Sequence, residues 1–64
     1  MTDSEKQVLD FVSKMETVTL GKWMVNMQNV SSNVSVHART FPNMCVSFAA
    51  SELLRRYREN RNDR

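Results

Sequence analysis

The sequence predicts a small α+β domain of order α-β-β-α, an antiparallel hairpin packed against two helices. Three observations carry that expectation. Apolar residues recur with helical spacing near both ends of the 64-residue chain. Between them, "KWMVNMQNVSSNVSVHARTF" (residues 22–41) alternates apolar and polar side chains. The second half of that stretch is also dense in β-branched residues, which suit a pleated, half-buried surface.

The first helix is expected at residues 4–15. Ser4 can cap it, with Gln7 three residues later completing a capping box. Val8, Phe11, Val12 and Met15 fall on one stripe, and Lys6, Asp10 and Lys14 fall opposite at i,i+4 spacing. "ETVTL" then begins to alternate, with Gly21 as a bulge ahead of Trp23. As strands, Trp23, Val25 and Met27 share one face, and Lys22, Met24, Asn26 and Gln28 share the other. Val34, Val36 and Ala38 likewise oppose Ser35, His37 and Arg39. A loop at residues 30–33 sets Met27 against Val36 and Val25 against Ala38, so apolar side chains meet apolar ones.

The alternative is an all-α helix-turn-helix. Its stripes would be Leu20, Trp23, Met24 and Met27, then Val34, Ala38 and Phe41. It is less favoured for three reasons. The proposed turn lacks glycine, "NVSVH" is a poor helix former, and His37 and Arg39 alone would read bases. The closing helix is expected to start near Pro42, and no later than Ser47. Its stripe is Val46, Ala49 or Ala50, Leu53 and Tyr57, widened by Phe48 and Leu54. Glu52–Arg56 and Arg55–Glu59 stand at ion-pair spacing along it. Residues 59–64 read as a frayed basic tail.

One domain, residues 1–64, is the most this length allows, and such a chain buries only about 60% of its extended surface. Marginal domains of this size are stapled, metal-bound or oligomeric. Cys45 is the only cysteine, which excludes an intrachain disulfide. One His and one Cys cannot complete a tetrahedral metal site, so no metal or other cofactor is expected. A homodimer is therefore expected. No Gly-rich phosphate loop exists, and Cys45 with His37 is the only nucleophile–base pair. Cys45 reads as a small buried hydrophobe, no residue is assigned a catalytic role, and no enzymatic activity is expected. The polar start "MTDSEKQ" does not fit a signal peptide, and no apolar run reaches the roughly 20 residues of a membrane span. With a lone thiol, this points to the cytoplasm.

Charge is unevenly placed. Residues 1–21 sum to −2 and residues 22–64 to +4, within a net +2. On the hairpin reading, Lys22, Asn26, Gln28, His37 and Arg39 line an open sheet face that carries no carboxylate. Arg55, Arg56, Arg58 and Arg61 extend the basic character along the tail. These nine residues are the candidate binding set. The expected function is a small non-enzymatic regulator that associates with nucleic acid, or with a protein of the transcription or replication machinery. The alternative is a phage- or plasmid-type inhibitor or adaptor that binds and modulates one host protein through Met24 and an exposed sheet edge. Over residues 22–58, the order hairpin, "ART-FP", then an Ala- and Leu-bearing helix loosely resembles small bacterial or phage regulators that bind RNA polymerase or DNA. That resemblance has no specific motif and assigns no residue a role.

Overall fold

A computed structural model describes the backbone of residues 1–62 and the side chains through Asn60. Three α-helices follow one another: α1 (Asp3–Lys14), α2 (Thr17–Asn33) and α3 (Thr40–Asn62), with a 3-10 turn at Val36–Ala38 between the last two. Among the described residues there is no β-strand. The expected α-β-β-α hairpin is therefore overturned, and with it the open polar sheet face. The all-α alternative is right in class but not in detail, because Val34–Arg39 is a connection and not a second short helix.

The helical stripe prevails in the middle of the chain because it is longer than the alternating one. Leu20, Trp23, Met24, Met27 and Ser31 all turn inward, at the spacing of one helix face. Val25, which the strand reading buries beside Trp23, is half exposed on the opposite side of α2. Ser31-Ser32-Asn33 continues the helix instead of turning. Ser32 Oγ donates to the Gln28 carbonyl at 3.1 Å, and Asn33 Nδ2 donates to the Asn29 carbonyl at 2.9 Å. Gly21 sits inside α2, where it costs about 1 kcal/mol relative to Ala.

α1 starts two residues' worth of cap earlier than expected. Thr2, not Ser4, is the cap: its Oγ1 accepts from the Glu5 amide at 3.2 Å, and the Thr2 amide donates to Glu5 Oε1 at 3.0 Å. These bonds hold the Glu5 carboxyl below its usual range, with the Thr2 backbone bond the main cause. Asp10 closes on Lys14 at 3.1 Å, the only one of its two spacings that forms an ion pair among the described residues.

α2 and α3 form an antiparallel pair. Thr17, at the start of α2, meets Arg56 far along α3, and Ser31 Oγ near its end donates to Asn43 Oδ1 at 2.6 Å. Pro42 is buried in the first turn of α3, where its missing N–H costs little. The buried stripe of α3 is Cys45, Ala49 and Glu52, with Arg56 only 18% exposed. This stripe lies about one position from the expected one, and Tyr57 and Leu54 are left exposed. The rest of the core is Val8, Val12 and Leu20, ringed by part-buried Met15, Trp23, Met24, Met27, Met44, Phe48 and Leu53.

Glu52 and Arg56 tie the three helices together. Arg56 Nε donates to Glu52 Oε2 at 2.7 Å, Nη1 to Thr17 Oγ1 at 3.0 Å, and Nη2 to the Val12 and Ser13 carbonyls at 3.2 and 3.3 Å. Those carbonyls are the negative end of the α1 dipole. Arg55 Nη2 takes the same Glu52 oxygen at 2.6 Å and pairs with Glu59 on its other side. Arg55 is the main reason that the Glu52 carboxyl lies below its ordinary value of 4.5, with burial opposing.

Two outcomes follow. Arg56→Ala is expected to destabilise the fold by about 2–3 kcal/mol, since it removes the bonds to Thr17 and to the end of α1 and leaves Glu52 with Arg55 as its one cation. Arg56→Lys should recover little of this loss, because an ammonium cannot span four acceptors. Urea denaturation checks both. A carboxyl with a lowered folded-state value stabilises above pH 4.5 and loses that contribution as pH falls through the folded-state value. Wild-type protein should therefore lose more stability than Glu52→Gln between pH 6 and about pH 3. Parallel losses would contradict the pairing.

Candidate functional site

The nine candidate binding residues do not converge. Lys22 and Asn26 stand one turn apart on the outward face of α2, both exposed, and Gln28 is exposed nearer its end. His37 is exposed in the 3-10 turn. Arg39 is part-buried and folds back, donating from Nε to the Val34 carbonyl at 3.3 Å, so part of its guanidinium braces the connection. Arg55 and Arg56 are committed to Glu52, Glu59 and the end of α1. Arg58 is exposed on α3, and the side chain of Arg61 lies outside the described residues. Three of the candidate cations thus serve the fold, which the sequence spacing of Arg55–Glu59 and Glu52–Arg56 already hinted at.

Two surfaces emerge instead, the first of which takes in two of the candidates, Lys22 and Asn26. The first is the outward face of α2, a shallow groove of about 600 Å³ lined by Thr17, Val18, Gly21, Lys22, Val25 and Asn26. Val18 is 61% exposed and Val25 50%, and beyond its chain neighbours and the backbone of its own helix no atom lies within 4 Å of where a Cβ on Gly21 would stand. The groove holds one cation and no carboxylate.

The second is an aromatic groove of about 320 Å³ lined by Gln7, Val8, Phe11, Trp23, Phe41 and Cys45. Phe11 meets the Trp23 ring edge-on, with centroids 5.3 Å apart and an interplanar angle of 65°. Phe11 and Phe41 are each about half exposed. The signal for this groove lay in the positions of Phe11 and Phe41, each at the edge of its helix's apolar stripe. Phe11 also borders an open groove of about 530 Å³ with Gln7, Asp10, Lys14, Met15 and Thr19.

Neither surface shows a catalytic arrangement. Cys45 is fully buried, as its reading as a small hydrophobe requires, and burial pushes its thiol above the ordinary value of 9.0. His37 is exposed, and no hydrogen bond joins the two among the described residues. Those residues also hold no group of three His, Cys, Asp or Glu placed to bind a metal ion, and no helix long and apolar enough to cross a membrane.

Compared with known proteins, the chain matches no family model, no curated protein and no solved structure.

Cys45 gives a direct check on the packing of α1 over α3. Its reaction with a neutral-pH thiol reagent should be slow in native protein and immediate in denaturant, at least about a hundredfold faster. Comparable rates in the two states would mean that α1 does not cover this position.

Proposed function

We propose that this chain is a small non-enzymatic regulatory protein, an adaptor or inhibitor that docks on one protein partner through the outward face of α2. The observation that carries the reading is the exposed strip Val18, Gly21, Lys22, Val25 and Asn26. Its valines stay half or more exposed in their own fold, so a partner's apolar side chains are what would desolvate the rest. Gly21 lets a partner backbone come close, and Lys22 asks for a carboxylate beside it. An amphipathic helix bearing an acidic residue has that chemistry. The cytoplasm suits such a regulator, since its Cys45 thiol is free.

Association with nucleic acid, or with a protein of the transcription or replication machinery, is the second reading. Lys22, His37 and Arg58 favour it, being exposed and in no ion pair among the described residues. Specific nucleic-acid interfaces are strongly cationic, however, and Lys22 and Arg58, on separate helices, make a weak one.

Nuclease-treated affinity capture from the native host separates the two. Wild-type protein is expected to retain a partner, and the double variant Val18→Asp/Val25→Asp to lose it by about tenfold or more while staying helical. Helicity should survive because both positions are exposed, and an Asp in the first turn of α2, which has no acid, suits the helix dipole. Undiminished capture by the variant would refute docking on this face. Salt-sensitive binding to duplex DNA with no nuclease-resistant partner would favour the second reading.

A further inference from the structure

We infer that two copies of this chain pair through the aromatic groove of Phe11, Trp23 and Phe41, with the half-exposed phenylalanines of each copy entering the groove of the other. The first support is area. A compact monomer of 7.5 kDa exposes about 4,200 Å², whereas this chain exposes 4909 Å². The excess, about 700 Å², is spread over an elongated chain and shows a single copy with more uncovered surface than a compact monomer has. The second support is the core. Among the described residues the core cluster is Val8, Val12, Leu20, Cys45 and Ala49, small for a comfortable single-chain domain.

The third support is the chemistry of the groove. Gln7 is its one polar residue, and none of its lining residues is charged. Two copies of a molecule with net charge +2 can therefore meet there without opposing like charges, as a nucleic acid would not require and an acidic partner would not reward. Knob and hollow also lie on the same patch: Phe11 and Phe41 project beside the cavity that they line. An isologous two-fold contact needs this self-complementarity. The seam shares no residue with the outward face of α2, so pairing leaves that face open.

Sedimentation velocity on the full chain, from about 1 μM to about 1 mM, reads the oligomeric state directly. A monomer–dimer equilibrium in this range is expected, and monomer throughout would overturn the inference. Phe41→Asp should raise the dissociation constant at least about tenfold. The fold should tolerate it, because Phe41 is half exposed and lies in the first turn of α3, which has no acid and favours one. Val18→Asp, on the other groove, should dimerise like wild type. Dimerisation unaffected by Phe41→Asp, or lost with Val18→Asp, would place the seam elsewhere. Trp23 gives a readout that needs no variant: acrylamide quenching of the chain's one tryptophan should fall as dimer forms. Quenching that is the same in monomer and dimer would also refute this seam.

Discussion

Arg56 stands where all three helices meet, and four acceptors share its guanidinium: a carboxylate from α3, a hydroxyl from α2 and two carbonyls from the end of α1. α1 has only Val8 and Val12 fully inside, so apolar burial alone holds it weakly. What fixes its direction is the cation that completes its last turn. Glu52 makes this arrangement tolerable. An unpaired guanidinium this close to the core would be costly, and a lone carboxylate at 8% exposure would be costlier. Arg55 then shares the carboxylate and keeps it ionised. The pairing thus sets the tilt of α1 against α3, and that tilt leaves Phe11 beside Trp23 at the mouth of the aromatic groove.

A thin molecule follows from this architecture. Its extents are 44 × 24 × 14 Å and its radius of gyration is 12.7 Å, against about 11 Å for a compact chain of the same length. α3 runs for 23 residues, about 34 Å, while α1 covers only 12 residues. A short helix laid over a long antiparallel pair cannot close both ends of the seam. Uncovered apolar side chains at the margins are thus a geometric result of unequal helix lengths. They are also where partners, identical or not, have free energy to gain.

Much of this was readable, and the failures have identifiable causes. α1 was legible from its period, and its true cap was displaced because Thr2…Glu5 and Ser4…Gln7 are overlapping patterns of the same kind. The one that forms offers a carboxylate, a stronger acceptor than an amide. In α2 the alternation from Lys22 to Gln28 and the helical stripe from Leu20 to Ser31 share Trp23 and Met27. The seven-residue overlap cannot separate them; only the longer window does. Val34 and Val36 then misled through their β-branching, since tertiary context left Val36 72% exposed in a connection and gave it no strand to join. On α3 the apolar stripe was misplaced by about one position because two of the positions nearest the core are Glu52 and Arg56. Polar residues that serve as mutual partners do not look like core in a pattern of apolar residues. Of the exposed face of α2 the sequence reading named Lys22 and Asn26 but set Val25 on the opposite face, because a strand separates neighbours that a helix brings together; the aromatic groove was not read as a site, because it depends on how α1 lies over α2 and α3.

The same ion pairs bear on function. Basic residues in a sequence count toward a phosphate-binding surface only if their charge is available, and here the folded chain uses Arg39, Arg55 and Arg56 for itself. The balance of +4 in residues 22–64 already subtracts Glu52 and Glu59; what the fold adds is that Arg55 and Arg56 are held beside those carboxylates and are not free to reach a phosphate. Lys22 differs in kind: it is exposed, free of carboxylates in its groove, and flanked by valines rather than by other cations. A single cation among apolar side chains orients a partner without supplying most of the affinity, which falls to the desolvated valines. On the proposed reading, such a surface would discriminate by shape and by the placement of one charge, as protein partners do.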